Sequence, residues 1–136
     1  MTKSSIDISK WKYVFVYGTL KKGGRYNSAF IKKLSKFVGI GHLDNSYTLY
    51  VPNKGSHIPF PVLTKQLGKL NCQGELYLVD PLIIKQLDLI EGVPDLYERE
   101  EVKVTTTGGS KLKAYTYLFN HTIPRGMVPS SFFIIK

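Results

Sequence analysis

The pattern of apolar and polar residues along the chain predicts a series of short β-strands. Five apolar or aromatic residues follow one another at 13–17, which is typical of a strand buried on both faces, and the predicted strand covers 12–17. Residues 72–79 alternate between polar and apolar side chains, as a half-buried strand does. Residues 98–107 and 111–119 flank a pair of glycines and predict a hairpin. Two further strands are predicted at 36–43 and 46–51.

Two segments have the spacing or the end signals of helices. In residues 25–34, apolar side chains recur at helical spacing and predict a short helix. Residues 80–92 have stronger punctuation, because Asp80 suits the N-cap, Pro81 suits the first helical position and Gly92 suits the stop. The sequence therefore predicts two or more short helices among about six strands.

The remaining segments predict loops and ends. Three prolines and a glycine in 52–61 favour a loop. The polar, serine-rich residues 1–10 are expected to be flexible, and the apolar end 130–136 is either an added strand or a contact with a partner. Together these elements predict an α+β fold, in which a mixed, curved sheet or small barrel of about six strands forms a single domain over 1–136.

Composition narrows the class of protein. Hydrophobic residues make up 43% of the chain, which is enough for a core and excludes a disordered protein. The single cysteine, Cys72, cannot form an internal disulfide, so a reduced, cytoplasmic location is expected. There is neither a secretory signal pattern nor an apolar run of the ~18 residues that a membrane span needs, so no membrane partner is expected.

The net charge of +9 raises the question of an anionic partner. The lysines are scattered, and only residues 20–25, with the sequence LKKGGR, are densely basic. An aromatic-rich RNA-binding motif is missing from the sequence. We therefore favour a solvated basic surface over a nucleic-acid interface.

A glycine-rich turn follows the first predicted strand and has three interpretations. Gly18 and Gly23 have the spacing of a phosphate-binding loop, but Gly24 and Arg25 stand where that loop needs Lys and Ser or Thr, which disfavours nucleotide binding. A glycine at this point also permits a simple tight turn. Alternatively, successive backbone N–H groups form a cradle for a carboxylate. The local sequence leaves the second and third interpretations open.

Glu91 is the candidate acid–base residue. A helical projection of 80–92 places it within the apolar stripe, between Leu87 and Ile84. In that position burial, the negative end of the helix and the nearby charge of Asp88 would each raise the pKa of its carboxyl group. The alternative is that Glu91 ends the helix in solvent.

The positions of the histidines and of the cysteine in the sequence disfavour a metal site and a nucleophilic cysteine. The three histidines, His42, His57 and His121, lack the spacing of metal ligands. Cys72 has no histidine near it in sequence, which disfavours a nucleophilic role. No metal site is therefore expected.

The glycine-rich turn and the glutamate together resemble the gamma-glutamylcyclotransferase-like superfamily, in particular its gamma-glutamylamine cyclotransferase and avirulence-induced-gene-like branch. The matching segments are FVYGTLKKG at 15–23, GELYLVD at 74–80, LDLIEGVPDLYERE at 87–100 and AYTYLF at 114–119. The resemblance implies a small barrel-like α+β domain with one cavity and no metal or organic cofactor. It also implies an acyltransferase that forms 5-oxoproline from a small gamma-glutamyl compound.

The resemblance assigns roles to particular residues. It implies that Tyr17, Gly18, Thr19 and Leu20 bind the α-amino and α-carboxylate end of the glutamyl group, and that Glu91 acts first as base and then as acid.

Three further residues match the family or its cavity. Tyr97 and Arg99 match a Tyr-x-Arg motif, so Tyr97 closes the pocket or is a buried structural tyrosine, while Arg99 is expected to pair with an internal carboxylate. Tyr117 lines the cavity or belongs to the core, and residues 57–62 are expected to shape the mouth.

The sequence thus predicts a gamma-glutamyl cyclotransferase that releases an amine from a gamma-glutamylamine or a similar compound. The alternative is a non-catalytic or differently specific member of the same fold that binds a small ligand. Residues 24–27 and the segment after Phe119 match the family only loosely, and both are candidates to border the leaving-group side of the cavity. The identity of the leaving amine therefore stays open, as does the oligomeric state.

Overall fold

A computed structural model describes residues 8–135 and contains eight strands and one α-helix in that range. The elements are β1 (Lys12–Val16), β2 (Ser35–His42), β3 (Thr48–Pro52), β4 (Val62–Thr64), β5 (Gln73–Val79), α1 (Pro81–Ile90), β6 (Tyr97–Thr106), β7 (Lys111–Phe119) and β8 (Met127–Ser130). The predicted α+β class is confirmed. Residues 8–10 form an exposed 3-10 turn, and the remainder of the segment expected to be flexible, 1–7, lies outside the described residues.

Five strands close into an irregular barrel in the order β1-β5-β2-β6-β7. The antiparallel pairs β1–β5 and β6–β7 are long, and the second of them is the predicted hairpin. The barrel closes through a single parallel pair, Val14 with Tyr115.

A second sheet, with the order β4-β3-β8, was not predicted, so the strand count rises from about six to eight. β4 is too short to show an alternating pattern, and β8 contains Pro129. Proline is tolerated there because β8 lies at the edge of the sheet and pairs only with β3 among the described strands.

Helix α1 follows the predicted signals. The Asp80 side chain accepts a hydrogen bond from the Leu82 amide at 2.9 Å, and Gly92 adopts the positive φ of 67° that favours glycine after a helix. Ile83 and Leu87 are fully buried in the core that also contains Val79 at the end of β5. This packing fixes the direction in which the last turn of α1 points.

The helix predicted at 25–34 was wrong, since only Asn27–Ala29 make a 3-10 turn. The Phe30 ring stacks on the Tyr77 ring with centroids 4.0 Å apart. The Asn27 side chain donates hydrogen bonds to the Leu20 carbonyl at 2.8 Å and to the Tyr77 hydroxyl at 3.0 Å. A segment this short does not hold an α-helix by itself, so these tertiary contacts decide its conformation.

The apolar chain end does not form the added strand considered for it. Within the segment 130–136, only Ser130 belongs to β8, and the chain continues without regular structure to Ile135. The Gln73 amide donates to the Ser131 carbonyl at 2.6 Å, which ties this end to the start of β5. Across residues 8–135, no helix has the length and apolar character needed to cross a membrane.

Candidate active site

A cavity of about 430 Å³ opens where the loop after β1 faces the end of α1. It is lined by three parts of the chain, residues 15–20 with 25–26, residues 59–61, and residues 90, 91, 96, 97 and 117. Every site residue predicted from the sequence lies in this lining: Tyr17, Gly18, Thr19, Leu20, Glu91, Tyr97 and Tyr117. The segment expected to shape the mouth contributes Pro59, Phe60 and Pro61.

The loop after β1 forms a tight turn, and its role as a cradle for a carboxylate stays a prediction. The Lys21 amide donates to the Gly18 carbonyl at 2.9 Å, and the Tyr26 amide donates to the Thr19 carbonyl at 2.9 Å. Among residues 8–135, the amides of Gly18, Thr19 and Leu20 have no backbone or side-chain acceptor. Three successive amides that line a cavity and lack a protein acceptor form the arrangement that binds anions elsewhere.

Two glycines in this loop are required by close approach. A Cβ atom on Gly18 would lie 2.8 Å from Cγ of Pro61, on the opposite wall of the cavity. A Cβ atom on Gly24 would lie 2.3 Å from the Thr19 carbonyl oxygen, inside the turn. Glycine at 18 therefore lets the strand exit lie directly against the 59–61 wall.

Glu91 is the C-cap residue of α1, and it lines the same cavity. Its amide completes the helix by donating to the Leu87 carbonyl at 2.9 Å, and its partly buried carboxyl group lines the cavity. No hydrogen bond or ion pair satisfies this carboxyl group within the described part of the chain. Burial raises its pKa from the ordinary value of 4.5 to about 7. The prediction that burial raises this pKa is confirmed.

The expected contribution of Asp88 to that pKa was wrong. The carboxylate of Asp88 forms an ion pair with Arg99 and accepts a hydrogen bond from the Tyr117 hydroxyl at 2.8 Å. Because Arg99 neutralises Asp88, burial is the cause that remains for Glu91. The pairing of Arg99 with an internal carboxylate is confirmed, and the contribution of the helix end stays a prediction.

Three tyrosines form a neutral wall of the cavity. The Tyr17 hydroxyl donates to the Tyr117 carbonyl at 2.5 Å, and the Tyr97 hydroxyl donates to the Pro61 carbonyl at 3.1 Å. Burial raises the pKa of Tyr17, Tyr97 and Tyr117 far above neutrality. All three hydroxyl groups therefore stay protonated and donate to acceptors within the protein, while their oxygen atoms can still accept hydrogen bonds. Their role in substrate binding stays a prediction.

Arg25 and Tyr26 line the cavity; they lie in the segment 24–27 that matches the family only loosely, and neither was named as a site residue from the sequence. The sequence signal was the basic density of residues 20–25, which gave no direction for the side chains. Arg25 lies over the Tyr26 ring, 5.4 Å from its centroid.

Residues 8–135 contain no group of three or more His, Cys, Asp or Glu side chains placed to hold a metal ion. Cys72 is buried outside the cavity, and burial raises the pKa of its thiol to about 12. Within the lining, Glu91 is therefore the group that changes charge near neutral pH.

The chain matches the family described as gamma-glutamyl cyclotransferase, AIG2-like, over residues 14–131. It is 35% identical over 108 residues to a putative gamma-glutamylcyclotransferase of Methanocaldococcus jannaschii, covering 79% of this chain and 84% of that protein. It is also 35% identical over 96 residues to the gamma-glutamylaminecyclotransferase of Rattus norvegicus, covering 68% of this chain and 62% of that protein.

A solved structure has the same fold. The crystal structure of an AIG2-like protein from Mus musculus superposes with a TM-score of 0.77 at 26% identity, covering 91% of this chain and 88% of that chain. The resemblance noted in the sequence is confirmed by the family match, by the relatives and by this structure. The chain belongs to the gamma-glutamyl cyclotransferase, AIG2-like family, and it is an enzyme of the cyclotransferase class.

Proposed function

We propose that this enzyme converts a small gamma-glutamyl compound into 5-oxoproline and a free amine, with Glu91 as general base and then general acid. The observation that carries the proposal is that Glu91, with a pKa of about 7, lines the same cavity as three amides without protein acceptors. The carboxyl group of Glu91 can exchange a proton near neutral pH, and the three amides can bind an anionic group of the substrate.

The first requirement of the reaction is to fold the substrate back on itself. The α-amino nitrogen must reach the γ-carbonyl carbon, so that five atoms form the new ring. The amides of Gly18, Thr19 and Leu20 would hold the substrate α-carboxylate or its γ-carbonyl oxygen. Once both ends are held, the attack is intramolecular, and its effective concentration is high.

The second requirement is proton transfer. The α-ammonium group gives its proton to the Glu91 carboxylate, and the freed nitrogen attacks the γ-carbonyl carbon. Protonated Glu91 then gives this proton to the departing nitrogen as the original amide C–N bond breaks. The ring nitrogen loses its second proton to the released amine, which leaves as an ammonium ion, so the charge and the protons balance and Glu91 is again a carboxylate. The products are 5-oxoproline and the amine, and no water is consumed. A base with a pKa near 7 is suited to both steps.

Charge develops on the γ-carbonyl oxygen during the attack. Preorganised N–H groups aimed at such an oxygen stabilise the tetrahedral intermediate more than the ground state. The loop after β1 supplies amides for this purpose. The buried tyrosine wall stays neutral at the pH of the reaction, so it adds no competing base.

The test is to incubate the enzyme with a panel of gamma-glutamyl amines and gamma-glutamyl amino acids and to detect 5-oxoproline by mass spectrometry. We expect turnover of at least one compound. Glu91→Gln, which keeps the shape and removes the base, should lower kcat by at least ~100-fold. Glu101→Gln is the matched control, because Glu101 is exposed on β6 outside the cavity and should leave kcat unchanged.

Two results would contradict the proposal. Equal turnover by Glu91→Gln would remove Glu91 from the mechanism. Failure of every compound to give 5-oxoproline, combined with measurable binding of a gamma-glutamyl compound in calorimetry, would favour the alternative of a non-catalytic binding protein.

A further inference from the structure

A second hollow of about 630 Å³ adjoins the candidate active site. The two cavities share Thr19, Arg25 and Pro59 in their walls, so they are immediate neighbours on either side of these residues. The far side of the second hollow is formed by the end of β3 and by the chain end after β8. It therefore begins where a substrate bound beside the loop after β1 would extend out of the first cavity.

The walls of the second hollow are mainly apolar. Phe132 and Ile134 line it and remain 43% and 60% exposed. Val51 and Pro52 face them from β3. A ligand that covers these side chains gains the free energy of removing apolar surface from water.

The wall made by the chain end is held in place by hydrogen bonds. The Lys21 ammonium donates to the Phe133 carbonyl at 2.6 Å, and the Gln73 amide donates to the Ser131 carbonyl at 2.6 Å. The first of these bonds links the chain end to the loop that carries Gly18. The second hollow is thus built by the same loop that builds the candidate active site.

Arg25 supplies the charge at the junction. It is exposed and has no ion-pair partner among residues 8–135. Within the described lining of the second hollow it is the one charged side chain, and no carboxylate lines that surface. A guanidinium group in this position favours a carboxylate and disfavours an ammonium group.

We propose that the second hollow receives the leaving group, and that the preferred substrates are gamma-glutamyl amino acids with a large apolar side chain. The leaving carboxylate pairs with Arg25, while the apolar side chain covers Phe132 and Ile134. Leaving groups that end in a cation are disfavoured. This inference rests on the proposed function, because it specifies the substrate of the same cavity.

Three matched compounds separate the effects of the leaving carboxylate, the apolar side chain and a terminal cation on kcat/KM. Gamma-glutamyl-leucine carries both the carboxylate and the apolar group, and gamma-glutamyl-3-methylbutylamine is the same compound without the carboxylate. Gamma-glutamyl-putrescine ends in a cation. We expect kcat/KM for the leucine compound to exceed that of the 3-methylbutylamine compound by about tenfold, with the putrescine compound lowest.

Variants test the assigned residues. Arg25→Gln should lower kcat/KM for the leucine compound by about tenfold and leave the 3-methylbutylamine compound unchanged. Arg25→Lys should keep part of the preference. Lys22→Gln is the charge-matched control, because Lys22 is exposed on the same loop and lines neither cavity, and it should have no effect.

Phe132→Ala tests the apolar wall. It should reduce the preference for gamma-glutamyl-leucine over gamma-glutamyl-glycine by about fivefold, because the leucine side chain loses its contact. Turnover with a preference for the 3-methylbutylamine or putrescine compound would overturn this inference alone. An equal effect of Arg25→Gln on the leucine and 3-methylbutylamine compounds would also overturn it. Absence of 5-oxoproline from every compound would overturn the proposed function together with it.

Discussion

The partly buried carboxyl group of Glu91 should make the stability of the fold depend on pH. Its pKa is about 7 in the folded protein, against an ordinary value of 4.5 that applies to the unfolded chain. Between these values the folded state binds more protons than the unfolded state. The contribution of this carboxyl group to the free energy of unfolding is therefore fully present below about pH 4.5 and is lost as the pH rises through about 7.

Replacing Glu91 by glutamine removes this dependence, because an amide does not titrate. The difference between 4.5 and about 7, at about 1.4 kcal/mol per pH unit, corresponds to roughly 3 kcal/mol. Because the carboxyl group is partly accessible to solvent, screening makes this value an upper bound on its contribution. The cost of placing an amide in the cavity is the same at each pH and cancels in the comparison.

The assay is urea denaturation of the wild type and of Glu91→Gln at pH 4 and pH 8, with the free energy of unfolding taken by linear extrapolation. Relative to the wild type, the variant should gain up to roughly 3 kcal/mol on going from pH 4 to pH 8. Glu101→Gln, at an exposed position, should show no comparable gain. An equal stability difference at both pH values would refute the assignment of a raised pKa to Glu91.

Two further variants test the walls of the cavity. Gly18→Ala places a Cβ atom 2.8 Å from Pro61 Cγ, so kcat/KM should fall about tenfold, whereas Gly108→Ala meets its nearest atom at 3.9 Å and should match the wild type. An active Gly18→Ala would contradict the close approach of the two walls. Tyr97→Phe leaves the Pro61 carbonyl without its donor and should lower the free energy of unfolding by about 1–3 kcal/mol in urea denaturation. Unchanged stability would show that this hydrogen bond contributes little.

Much of the candidate site follows from short-range sequence signals. Asp80, Pro81 and Gly92 mark the ends of α1, and the 3.6-residue period makes an inward direction of Glu91 one of two possibilities. The resemblance to the family decided between these possibilities. The turn at Gly18 follows from the end of an apolar strand. Because each signal is local, the turn at Gly18 and the position of Glu91 could be predicted without knowing that the two line one cavity.

The parts that were missed depend on distant contacts. Residues 25–34 have helical spacing, yet stacking of Phe30 on Tyr77 holds them in another conformation. Strands β4 and β8 are too short to show a period and form only because β3 lies between them. Arg25 and Phe132 come to the same hollow through tertiary packing, so the sequence indicated their two regions as candidates for the leaving-group side without showing that they share a cavity.

The central claim is that the carboxylate of Glu91 removes the proton from the substrate, and the pH dependence of 5-oxoproline release tests it most directly. For the wild type, kcat/KM should rise about tenfold per pH unit below about 7 and then level off, because the pKa of Glu91 is raised to about 7. In Glu91→Gln the residual rate should lose this inflection. The same inflection in both proteins, or equal rates, would contradict the account.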